Sequence, residues 1–246
     1  MPNLDSVHDK LWWTSLEDTK DAIAVLRSVL PAALVGRLDW ASFVPLPERF
    51  VDEAMRDSQA DRLYQARCGD SDVLVYVLCE HKSEVDKWTL LQLLRYMVRI
   101  WEYCLAQKPV PATLLPIIPV IIHHSESGWT ATTQFHGLFA QALMVDEVLR
   151  RLTPDFEVVI DDISHLSDES LRARGMSARA ALGLLFLRDG RREGRILMAL
   201  ALWQDLLCEL LNGPNGRRAL EQLFGYTLRV TPNLAKSDLQ GRVRQV

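Results

Sequence analysis

The chain is poor in the features that would place it in several large protein classes. Its four cysteines, Cys68, Cys79, Cys104 and Cys208, are scattered, and no two form a C-x-x-C pair. That spacing argues against a structural zinc site. Three of them lie in apolar runs, where a free thiol behaves as a small hydrophobe, the pattern of reduced core cysteines in a cytoplasmic protein. The N-terminus has no basic stretch followed by an apolar run, so no secretory signal is expected. The longest apolar segment, Leu114 to Ile122, carries two prolines and is too short to cross a bilayer. There is no internal repeat and no low-complexity segment. The expectation is a cytoplasmic protein with no membrane partner. The formal net charge is −4, so the basic footprint of a nucleic-acid binder is also missing. Any DNA site must then come from local patches. Global charge is a weak veto on such a patch.

What is present is a chain of 246 residues, long enough to bury a sizeable core without disulfides. His8 to Leu30 reads as a helix on the spacing of Ala22, Val25, Leu26 and Val29, stopped by Pro31. Ala60 to Cys68 and Val73 to Glu80 read as a β-hairpin around a four-residue turn, Gly69-Asp70-Ser71-Asp72. The second strand is nearly continuous Val, Leu and Tyr, as for a strand buried on both faces. Lys87 to Gln107 reads as a helix with Leu90, Leu94, Met97, Trp101 and Cys104 as its apolar stripe, widened by Leu91, Val98 and Leu105. Leu114 to His123 is the next strand. The intervening helix makes its pairing parallel, with a bulge or edge position expected at Pro119. Further helices are expected over 133–152, 167–187 and 193–211, with a strand over 156–161. The organisation expected is a core over 1–130, a helix-rich continuation over 131–231 and a polar tail over 232–246.

The hairpin carries the chemistry. With a turn of Gly69 to Asp72, Asp61 stands opposite Glu80, and Lys82 follows two residues later on the same face. An even slip of register keeps all three on one side. Two carboxylates and an ammonium at the end of an apolar hairpin are costly unless a hard cation such as Mg²⁺ uses them. A cation there can polarise a phosphoryl oxygen, while Lys82 orients water or neutralises charge. The competing reading is a solvated ion pair at a strand end. Gln92, Arg95 and Arg99 share a helical face after the hairpin and serve either as an auxiliary residue (Gln92) and phosphate contacts (Arg95, Arg99) or as an ordinary polar face. Arg242 and Arg244 in the tail are further candidates for phosphate contact. Capping or packing is the expected role of His123-His124, and a solvated strand end or helix cap that of Asp161-Asp162. Asp9 or Glu17 could add a carboxylate from the first helix.

Several short motifs occur in a specific order: His8-Asp9, Ser42-Phe43-Val44, Phe50-Val51-Asp52-Glu53, Asp61-Arg62-Leu63-Tyr64, Glu80-His81-Lys82-Ser83, Leu94-Arg95-Tyr96-Met97 and Leu115-Pro116-Ile117-Ile118-Pro119-Val120. From His8 to Trp129 they resemble the recombination-promoting nuclease / YhgA-like transposase family of the PD-(D/E)XK superfamily. The resemblance implies an α/β fold with a restriction-endonuclease-like core, a central mixed β-sheet flanked by helices. It also implies Mg²⁺-dependent endonucleolytic cleavage of DNA, with Mn²⁺ as a substitute and a role in recombination or transposition. Asp61 matches the family's strand Asp and Glu80 its second carboxylate; both would hold the metal. Lys82 stands where the family commonly has Gln, Ala60 where it has Ser, and Trp12-Trp13 where it has Phe-Lys. The alternative is a nuclease fold that binds DNA or a protein without cutting. A second copy of the chain is a candidate partner.

Overall fold

The computed structural model describes residues 4–46, 62–80, 85–231 and 234, with residues 4–6, 9, 78–80 and 193 described by backbone alone. The chain folds as two compact units, Val29–Asp162 and the pair Met1–Ser28 with Ile163–Val246.

The first unit holds the sheet. Its elements are α3 (Ala32–Val35), β1 (Leu38–Pro45), β2 (Arg62–Cys68), β3 (Ser71–Glu80), α4 (Thr89–Ala106), β4 (Ile117–His123), α5 (Gln141–Met144), α6 (Glu147–Leu152) and β5 (Val159–Asp162). The strands form a mixed sheet in the order β1-β2-β3-β4-β5. β1, β2 and β3 are successively antiparallel, and β3, β4 and β5 run parallel. This is the α/β architecture expected from the sequence. β5 is paired with β4, so it belongs with the sheet and not with the helix-rich remainder expected after residue 130.

The β2–β3 turn is tighter than the sequence suggests. Cys68 pairs with Ser71, leaving Gly69 and Asp70 as a two-residue turn. Gly69 has φ 64, a conformation that suits glycine and matches the twist of tight hairpins. Asp72 is absorbed into the strand, where its carboxylate accepts a hydrogen bond from Gln65 Nε2 at 2.8 Å. The register is therefore shifted by two: Arg62 pairs with Val77, and Leu63 with Tyr76.

α4 covers one face of this sheet. Its buried seam is Leu90, Leu93, Met97 and Ile100, which meets Leu63, Leu74, Tyr76, Ile117 and Ile121. The expected stripe is thus rotated: Leu94, Trp101 and Cys104 lie at its margin, while Leu91, Val98 and Leu105 are exposed. Pro119 needs neither an edge nor a bulge, because β4 is an inner strand in unbroken register with β3. The Pro116 carbonyl accepts from Leu74 N–H, so alternation turns the backbone of Pro119 toward β5, and that ladder begins only at Val120. Residues 133–152 form a 3-10 turn (Phe135–Leu138) and two short helices in place of one helix. Phe135 stacks on Phe156 with ring centroids 5.0 Å apart, and Asp146 caps α6 by accepting the Val148 and Leu149 amides.

The second unit is helical: α1 (Leu4–Ser15), α2 (Thr19–Val29), α7 (Asp168–Arg172), α8 (Ala178–Asp189), α9 (Glu193–Leu202), α10 (Gln204–Asn212) and α11 (Gly216–Val230). The helix expected over 8–30 is broken in two. The Ser15 hydroxyl bonds back to the Leu11 carbonyl at 2.7 Å, and the Asp18 carboxylate accepts the Lys20 amide at 2.8 Å to start α2. Helix α8 is buried on every side. No helix among the described residues is long and apolar enough to cross a membrane.

Candidate functional site at the strand ends

Of the residues singled out in the sequence, Asp61, Lys82, Arg242 and Arg244 lie outside the described residues. Glu80 is the last residue of β3, and its backbone is in register with His123 of β4. The two-residue shift in the hairpin is even, so alternation keeps its sense. Odd positions of β2 share a face with even positions of β3, as Leu63 does with Tyr76 and Gln65 with Leu74. This is the face that α4 covers.

Gln92 and Arg99 are half-buried on α4 and Arg95 is exposed. Gln92 Nε2 donates to Tyr96 Oη at 2.6 Å, and the Tyr96 ring meets Tyr76 edge-on at 5.9 Å. The Gln92 amide is thereby anchored to the sheet through two aromatic rings.

The register brings together residues that sequence reasoning kept apart. Glu80 pairs with His123, and His123 pairs with Asp162. The three stand in one row at the carboxyl ends of adjacent parallel strands, the end where open parallel sheets bind their ligands. His123 is fully buried. Its Nε2 is 3.0 Å from Ser125 Oγ, which in turn accepts the Gly128 amide at 2.9 Å. Gly128 has φ 76, and this left-handed turn brings Trp129 back onto the row. The Trp129 ring lies edge-on to His123 at 5.3 Å, and its amide donates to Asp162 Oδ2 at 2.7 Å. Asp161, one residue earlier, is buried beside Ile122 on the opposite face. The sequence shows both acids at a strand end; only the long-range pairing of β4 with β5 tells which of them joins the row.

Asp162 offers a half-buried carboxylate held by a backbone amide, and the backbone of Glu80 lies two strands away in the same row. Carboxylate oxygens suit both Mg²⁺ and Mn²⁺. Among the described residues, no three His, Cys, Asp or Glu side chains are gathered closely enough to hold an ion by themselves.

Residues 6–216 match the family described as "Putative transposase, YhgA-like". The chain is 24% identical over 225 residues to the recombination-promoting nuclease RpnA of Escherichia coli (strain K12), covering 90% of this chain and 72% of that protein. It is 26% identical over 161 residues to the recombination-promoting nuclease RpnD of Escherichia coli O157:H7, covering 63% of this chain and 60% of that one. A third relative, the "Putative inactive recombination-promoting nuclease-like protein YjiP" of Escherichia coli (strain K12), is 30% identical over 93 residues, covering 38% of this chain and 90% of its own. No solved structure matches.

Proposed function

From the premise that this chain belongs to the YhgA-like transposase family, we propose that it is a divalent-metal-dependent endodeoxyribonuclease acting in DNA recombination or transposition. The observation that carries this reading is the position of Glu80 at the carboxyl end of β3, the strand shared by the antiparallel hairpin and the parallel half of the sheet. Asp61 immediately precedes β2 in the sequence, and Lys82 follows β3 by two residues. The sequence expectation that Asp61, Glu80 and Lys82 share one face is indifferent to an even slip of register, and the slip seen in the hairpin is even. Two relatives are named recombination-promoting nucleases, which supports the same chemistry.

In this reading Asp61 and Glu80 hold the cation, Mg²⁺ or Mn²⁺. When bound, the ion supplies Lewis-acid polarisation of a phosphoryl oxygen and makes a nearby water more acidic. Lys82 orients the attacking water or neutralises the charge that grows on the phosphate. Gln92, tied to Tyr96, assists from the first turn of α4, and Arg95 and Arg99 contact phosphates along the same helix. With a net charge of −4, DNA is held by these local cations and not by a general positive field. The site is expected to act in the cytoplasm, in a monomer or a homodimer.

The test is cleavage of supercoiled plasmid with and without Mg²⁺, by the wild type and by Asp61→Ala. Cleavage that needs the metal and is abolished in Asp61→Ala is the expected result. An Asp61→Ala protein that cuts at full rate, free of contaminating nuclease, places the active site elsewhere. A wild type that binds DNA yet never cuts favours the alternative of a non-cleaving nuclease fold, the condition named for YjiP.

A further inference from the structure

The helical unit carries its cations in two ways. Arg172 is paired with Asp205, Arg188 with Asp168 and Asp189, and Arg195 with Asp189. Lys10, Arg218 and Arg229 are exposed, and among the described residues none of the three is held in an ion pair. All three line one groove of about 320 Å³, left where α1 packs against α11. Among the described residues, Glu221 is the one carboxylate that lines it. Uncompensated cations facing one concavity draw in anions and raise their local concentration.

We infer that this groove is a track for the phosphodiester backbone of DNA. The choice of DNA among polyanions rests on the nuclease reading above. Arg218, Gly225 and Arg229 recur at helical spacing and share the groove face of α11. At 1.5 Å of rise per residue, Arg218 and Arg229 stand about 16 Å apart along the axis. One small anion does not reach both, whereas a chain of phosphates does and meets Lys10 on α1 as well. The wall of the groove is fixed. Tyr226 is buried there with its Oη 2.8 Å from His8 Nδ1, and Arg191 Nη2 donates to His8 Nε2 at 2.6 Å. A Cβ added at Gly225 would meet no atom within 4 Å, so packing inside the fold does not require glycine there. Glycine is a poor residue for a helix interior. On the groove face, its missing side chain lets a ligand backbone approach closely.

The test is binding of a fluorescein-labelled DNA duplex to the full chain, followed by anisotropy over a series of salt concentrations. Divalent metal is left out so that the DNA stays intact. The Arg218→Gln/Arg229→Gln double variant should bind ~10-fold or more weakly, equally for unrelated sequences, and its slope of log affinity against log salt should fall by about 2. Gly225→Leu, which obstructs the track and removes no charge, should also weaken binding, and Glu221→Gln should strengthen it. Melting temperatures should not fall in any of these variants. Wild-type affinity and slope in the double variant overturn the inference, as does a loss of binding matched by a lower melting temperature. Polyglutamate that displaces the duplex as well as unlabelled DNA of equal charge overturns the assignment to phosphates. The plasmid assay decides the nuclease reading separately. Metal-dependent cleavage together with wild-type binding by the double variant keeps that reading and removes the track. Duplex binding carried by Arg218 and Arg229 without any cleavage keeps the track and removes the nuclease.

Discussion

The sheet unit and the helical unit treat charge in opposite ways. In the sheet unit the cluster under α4 is apolar, and His123 and Asp162 stand in backbone register with Glu80 at the carboxyl ends of β3, β4 and β5. In the helical unit, charges are carried into the interior and neutralised there. Arg188, on the buried helix α8, donates from Nε to Asp189 at 3.0 Å, from Nη1 to the Leu166 carbonyl at 2.6 Å, and from Nη2 to Asp168. Trp203 Nε1 donates to the second oxygen of Asp168 at 2.6 Å. Arg195 Nε stands 2.6 Å from Asp189 as an ion pair. Burial pushes the Asp168 carboxyl up, but the bonds from Arg188 and Trp203 outweigh it and hold the group below the usual carboxylate range. A network so fully partnered inside one unit has structural work to do. The strand-end row adjoins the loop that carries Ser125, Gly128 and Trp129. Burial of charge alone does not mark a site.

The largest effect that would break this contrast is in the helical unit. Arg188→Ala should destabilise the protein by about 3–5 kcal/mol, because it leaves two carboxylates without their shared cation. Urea denaturation measures it, and metal affinity per folded molecule should not change. A loss of metal affinity with intact stability would erase the distinction between the two regions.

The next effect lies at the strand ends and is chemical. Lys82→Ala should slow cleavage by ~100-fold or more while leaving metal binding intact or tighter, since a nearby ammonium repels the cation. Lys82→Gln sharpens the point, because Gln is common there in the family. Retained single-turnover cleavage by Gln would mean that the position orients water by hydrogen bonding. Loss would mean that it supplies charge or a proton. An unchanged melting temperature in both variants is the expected sign that Lys82 serves chemistry and not stability.

Legibility in the sequence follows the same division. The hairpin, the crossover helix and the parallel strand could be read because runs such as Val73 to Val77 are buried throughout and local in sequence. The register that the sequence suggests differs by two residues from the one formed, because four turn formers in a row disguise the two-residue turn of Gly69 and Asp70. The α4 seam was rotated because Leu91 and Leu93 are equally apolar on paper, and only docking on Tyr76 and Ile121 selects Leu93. The helical unit was harder, since its breaks depend on side-chain bonds: Ser15 to Leu11, Asp18 to Lys20, and Ser177 capping α8 at the Ala180 amide. Asp162 was out of reach because its partner strand is about forty residues away and parallel, a pairing no local pattern encodes.

The smallest effect tests the surface of the helical unit, where the buried network meets solvent. Arg172 makes two hydrogen bonds to Asp205, each 2.7 Å, and its guanidinium lies 5.0 Å from the Trp203 ring. The Arg172 bond holds the Asp205 carboxyl down at about 2, against an ordinary 3.8. A depressed carboxylate stabilises the fold at pH values above its unfolded value, and that contribution is lost as pH falls through the folded value. The window for this pair is therefore from just under 4 down to about 2. Both side chains are well exposed, so screening limits the coupling to below about 1 kcal/mol. Arg172→Ala alone would also remove packing on Trp203, and only a double-mutant cycle with Asp205→Asn isolates the charge. Urea denaturation across that cycle should give a coupling that is constant from neutral pH to just above the unfolded value and shrinks below it. Added salt should reduce the coupling as well. The Arg188 network, shielded from water, should keep its own coupling in the same salt. Equal salt sensitivity for both pairs would show that the interior of the helical unit is wetter than its burial implies.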